Sequence, residues 1–122
     1  MKRTMFAVTL LLLAASARAE YKDVIGFTMT DDCSFAEYME VVADFNKWAK
    51  PRGYQAQVFV PHNSDDLQTH YWVGTSADAA SFGAAHDEWL KGVMEGDSEP
   101  AALAKRFGKC ATNESRQGFY AF

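Results

Sequence analysis

Tyr54-Gln55-Ala56-Gln57-Val58-Phe59-Val60 and, after a polar turn, Leu67-Gln68-Thr69-His70-Tyr71-Trp72-Val73-Gly74-Thr75 decide the fold. Both runs alternate with the two-residue period of a strand and are rich in β-branched and aromatic residues. Pro61-His62-Asn63-Ser64-Asp65-Asp66 between them is polar and of hairpin-loop length, so the two strands are expected to lie antiparallel. In the second run Leu67, Thr69, Tyr71 and Val73 share one face, and Gln68, His70, Trp72 and Gly74 the other. The bulk of Tyr71 and Val73 assigns their face to a helix-covered core. His70 and Trp72 are then expected on the opposite, open face.

Upstream, Ser34-Phe35-Ala36-Glu37 is a capping box: the Ser hydroxyl can serve the third backbone N–H while Glu37 reaches back. Phe35, Tyr38, Val42, Phe45 and Ala49 follow at helical steps until Pro51 and Gly53 stop them. Before that helix, Val24 to Met29 reads as a strand ending at Thr30-Asp31-Asp32. Downstream, a second helix is expected to start with Thr75 or Ser76 as its cap and Asp78 in its first turn. Phe82, His86, Trp89 and Val93 continue it until Gly96-Asp97-Ser98-Glu99-Pro100 breaks the pattern. A short third helix, Ala101 to Phe107, is expected to end at Gly108 as a C′ residue, and Thr112 to Phe122 forms a last strand. The order β-α-β-β-α-α-β predicts an α+β fold. It is the ferredoxin-like split β-α-β arrangement, an antiparallel sheet with helices on one face.

That topology carries its own check. The first and last strands become antiparallel neighbours, which brings Cys33, just past the first, beside Cys110, just before the last. A Cys33–Cys110 disulfide is therefore expected, as an even pair in an oxidising compartment implies. No His stands within a few residues of either Cys, and there is no C-x-x-C, so neither a metal site nor a redox motif is expected.

The N-terminus points to export. Lys2 and Arg3 precede an apolar run from Met5 to Ala15, and Ala17-Arg18-Ala19 offers a cleavage site before Glu20. The run is well short of the ~20 residues that span a bilayer, so residues 1–19 read as a cleaved signal and not as a stable membrane anchor. Residues 20–122 then form a single domain, periplasmic or secreted. They hold nine basic and sixteen acidic residues, a formal net charge of −7. Such a chain has no basic face for nucleic acid or anionic lipid.

The element order and the segment Tyr71-Trp72-Val73-Gly74-Thr75-Ser76, followed by Phe82, His86 and Trp89, resemble the dimeric α+β barrel superfamily. It includes the antibiotic-biosynthesis-type monooxygenases, the NIPSNAP-like proteins and the haem-degrading monooxygenases. The resemblance implies a homodimer formed through open sheet faces, which would also cover the apolar residues present in both strand phases. It implies an aromatic on the third strand and a histidine on the second helix, here Trp72 and His86. The strand-one asparagine of the haem-degrading members has no counterpart between Glu20 and Phe45.

His86 is thus the candidate catalytic base or haem ligand, against the plainer reading of a half-buried packed histidine. His70, Trp72, Phe27 and Trp89 are candidates to line a cavity at the sheet face. No nucleophile elbow, P-loop, dinucleotide fingerprint, H-E-x-x-H or C-x-x-C-H occurs, so no cofactor is named. Three functions remain open: a binding protein for a small apolar or aromatic molecule, a cofactor-free or haem-using monooxygenase or isomerase, and a packed structural protein.

Overall fold

The computed structural model describes residues 19–122, so the expected signal segment lies outside the described residues except for its last position, Ala19. The order is β1 (Glu20–Met29), α1 (Phe35–Ala49), a 3-10 turn (Lys50–Arg52), β2 (Gln55–Phe59), β3 (His70–Ser76), α2 (Ala79–Glu95), α3 (Glu99–Cys110) and β4 (Ala111–Ala121). The four strands form one sheet in the order β2-β3-β1-β4, with every neighbouring pair antiparallel. This is the split β-α-β sheet expected above. The three helices cover one face, and the core of Phe27, Tyr38, Val42, Phe45, Trp48, Trp72 and Leu103 lies between the layers.

Local chemistry accounts for most boundaries. Ser34 and Glu37 form both bonds of the capping box, and Gly53 ends the 3-10 turn at φ 76°, a left-handed conformation that suits glycine. Asp78, not Thr75 or Ser76, caps α2: its carboxylate accepts the Ser81 N–H at 2.8 Å. Ser76 stays in β3, where its pairing with Tyr21 buries it. Leu67, Gln68 and Thr69 do not join β3, because the Asp66 carboxylate accepts the Gln68 and Thr69 N–H groups and holds a turn there. Ser98 and Pro100 start α3 earlier than expected. It runs through Gly108 to Cys110, so Gly108 is no terminator. Cys33 and Cys110 are bonded, with their Cα atoms 4.8 Å apart.

The largest correction concerns the phase of β3. Trp72 faces the helices and is buried, its ring 4.9 Å from Phe45 on α1 and 5.5 Å from Phe107 on α3. Tyr71 is on the open face, 44% exposed. Both phases carry apolar bulk, and the indole prevails because the helix layer supplies it with aromatic neighbours while Tyr54, just before β2, supplies a partner for its N–H.

Candidate functional site

A cavity of about 310 Å³ lies between the sheet and the three helices of one chain. It is not at the open sheet face, where it was expected; the reversed phase of β3 carries Trp72 into it. Phe27, Trp72, His86 and Trp89 all line it, so four of the five expected site residues are brought together. His70 is not among them. It shares the helix-facing phase of Trp72, but its ring lies tilted beside those of Phe27 and Phe35, at 5.5 and 5.7 Å. Phe45 sits centrally in the aromatic wall, with its ring 5.2 Å from Trp89 and 6.0 Å from Trp48. The Phe45–Trp89 pair is edge-to-face, a favourable arrangement, and the Phe45–Trp48 pair is tilted.

One side of the cavity is polar, and sequence reasoning missed it. Asp23 lies on the same phase of β1 as Ile25 and Phe27 and is only 2% exposed. Its carboxylate accepts Arg116 Nε at 2.9 Å and Arg116 Nη2 at 2.8 Å, a two-point pair across the β1–β4 ladder. It also accepts the Tyr54 hydroxyl at 2.9 Å, and that hydroxyl in turn accepts Trp72 Nε1–H at 2.6 Å. The chain Trp72–Tyr54–Asp23–Arg116 therefore satisfies a buried indole, a buried phenol and a buried carboxylate together. Burial, with the Asp23 charge beside it, pushes the Tyr54 hydroxyl well above the ordinary phenol range. Burial alone raises Tyr38 in the same direction. Desolvation works against the Arg116 charge, but the bonds to Asp23 outweigh it and leave the guanidinium above its usual value.

Backbone details place this network. Gly74 on β3 leaves the space that the Tyr54 ring occupies; a Cβ there would overlap the phenol. A bulge between Gly26 and Phe27 changes the register on β4, so Gly26 faces Ser115 while Phe27 faces Asn113. Three residues apart, Asn113 and Arg116 would point to opposite faces of a regular strand. With Glu114 absorbed by the bulge, both line the cavity. The one readable signal was a lone carboxylate, Asp23, on the apolar phase of β1.

His86 lines the cavity with its ring stacked on Phe82 at 5.4 Å, and among the described residues its ring nitrogens have no hydrogen-bond partner. Groups of His, Cys, Asp and Glu able to hold a metal do not occur among the described residues. No described helix is long and apolar enough to cross a membrane.

No protein-family model and no curated protein matches the sequence. Solved structures do match. SnoaB, a cofactor-independent oxygenase from Streptomyces nogalater, is 17% identical with a TM-score of 0.57, covering 85% of this chain and 94% of that one. A mutant of the same oxygenase matches at 17% identity and a TM-score of 0.60, covering 84% and 93%. A hydroxynitrile lyase from Passiflora edulis matches at 14% identity and 0.54, covering 85% and 94%. At these identities the likeness speaks for fold: this chain shares its α+β architecture with a cofactor-independent oxygenase and a hydroxynitrile lyase.

Proposed function

We propose that this is an exported small-molecule-binding protein that holds a planar apolar or aromatic ligand between its sheet and helices, and that it works as a homodimer. The observation that carries the reading is the cavity wall. Trp48, Trp72 and Trp89, all the tryptophans of the chain, face one space, with a hydrogen-bonded charged pair at its edge. Apolar walls with a few placed polar groups are the usual composition of a ligand pocket. The dimer reading is supported by the uncovered sheet face, where Phe59, Tyr71 and Phe119 are each about half exposed. The disulfide is compatible with an oxidising compartment.

A second reading is an enzyme acting on that ligand without a cofactor, an oxygenase, lyase or isomerase in kind. His86 favours it, because a ring nitrogen without a protein partner at a cavity wall can take a proton from a bound substrate. The cofactor-free branch is preferred to the haem-using one because the cavity-facing residues of β1 are Asp23, Ile25 and Phe27, with no asparagine.

Since every tryptophan lines the cavity, intrinsic emission reports on that space. Titration with 1,4-naphthoquinone is expected to quench it saturably, and Ala104→Phe, which fills the cavity from α3, to abolish the saturable part. Quenching that stays linear with concentration, or is indifferent to Ala104→Phe, overturns the binding reading. Native mass spectrometry of the exported fraction is expected to show a dimer of chains starting at Glu20; a monomer, or chains starting at Met1, overturns the corresponding part.

A further inference from the structure

We propose that the cavity selects aromatic ligands carrying an acceptor oxygen, a carbonyl or a carboxylate, which docks on the Arg116 N–H groups that Asp23 leaves unspent. The inference rests on the cavity being a ligand site, as proposed above, and adds the polar chemistry of what it takes. A guanidinium has five N–H donors in a rigid fork. Asp23 uses one on Nε and one on Nη2, and among the described residues no hydrogen bond uses Nη1. Three donors are left, and their direction is set because the Asp23 side chain, 3% exposed, holds the other edge of the same plane. A donor group fixed before the ligand arrives loses little freedom on binding.

Arg116 also stands at a junction. A second recess of about 220 Å³ opens beside the cavity, lined by Tyr21, Gln117 and Gly118. Asp23, Phe82, His86 and Arg116 belong to both spaces. The guanidinium lies 6.0 Å over the Phe82 ring, so charge and aromatic face meet at the neck. Other polar groups also line the cavity without a protein hydrogen bond among the described residues: the Asn113 amide, the His86 ring, the Tyr38 hydroxyl and the indole N–H groups of Trp48 and Trp89. Of these, only the His86 ring also lines the recess beside Arg116, while α1, β3 and Phe107 of α3 supply most of the aromatic surface. A flat apolar body laid against the aromatic side is then oriented with its acceptor toward the neck, where the charged donor stands. A ligand lacking that oxygen forgoes a hydrogen bond to a charged donor, and the Arg116 side chain, 47% exposed, returns its spare N–H groups to water.

Calorimetry on the oxidised protein with three matched probes, naphthalene, 2-acetylnaphthalene and 2-naphthoate, tests this. At least one oxygenated probe is expected to bind about tenfold or more tightly than naphthalene, the effect of one hydrogen bond to a charged group. The ketone against the carboxylate then tells whether the neck takes a neutral or an anionic oxygen. In Arg116→Lys a cation remains for Asp23, but a single nitrogen cannot serve two partners in the same way, so the preference is expected to fall toward one. Asn113→Ala, on the exposed β4, is expected to reduce it about threefold, and serves if Arg116→Lys fails to fold. Equal affinities for the three probes, or a preference that survives in the folded variants, overturn this inference and leave the cavity reading standing. If none of the probes binds, both are overturned.

Discussion

Tyr54→Phe removes a single oxygen, yet that oxygen holds two buried groups at once. It donates to Asp23 and accepts from Trp72 Nε1–H. Loss of a hydrogen bond to a charged acceptor costs roughly 1.5–3 kcal/mol, and a buried N–H left without a partner roughly 1–3 kcal/mol. Asp23 keeps both bonds from Arg116, so the carboxylate is not stranded. Because the two losses share one atom they do not simply add, and about 3 kcal/mol is the expected effect. For a domain of this size that is a fall in Tm of roughly 12 °C. Tyr38→Phe is the matched control. Tyr38 is also buried, packed on Phe27 at 4.9 Å, but its hydroxyl makes no hydrogen bond among the described residues. Its variant is expected within about 0.5 kcal/mol of the parent. Thermal and urea unfolding, followed by far-ultraviolet circular dichroism and by tryptophan emission, measures both. Equal destabilisation by the two variants, or less than about 1 kcal/mol for Tyr54→Phe, would refute the assignment of the network as a stabilising unit.

Two further predictions follow from the same structure. The Cys33–Cys110 bond closes 77 residues of chain, so the double variant Cys33→Ser/Cys110→Ser is expected to lose roughly 4 kcal/mol, and unreduced, denatured protein to show no free thiol; a loss under about 1 kcal/mol, or reactive thiols, contradicts it. Tyr54 and Tyr38 are held neutral above the ordinary phenol range in the folded state, whereas unfolded tyrosines ionise near pH ~10. Stability is therefore present below that pH and lost above it, by up to ~1.4 kcal/mol per pH unit for each of the two. Phenolate absorbance from Tyr38 and Tyr54 should appear together with unfolding and not before it.

Local signals and long-range placement divide this molecule. Short-range chemistry was legible: the Ser34–Glu37 box, the stop at Gly53 and the alternation through Val58 and Val73 each depend on residues a few positions apart. Element order with that chemistry was enough for the split β-α-β sheet, and the sheet order was enough to pair Cys33 with Cys110. The phase of β3 was not legible, since Tyr71 and Trp72 are both large and amphipathic and alternation alone says nothing of which face the helices cover. Nor was the bulge that turns Asn113 and Arg116 to one side, because an extra residue in a ladder is a property of two strands together. Asp23 and Arg116 stand 93 residues apart, and neither belongs to a motif. A carboxylate can be buried in that aromatic wall only where a guanidinium and a phenol meet it, and only the packed chain brings those three together.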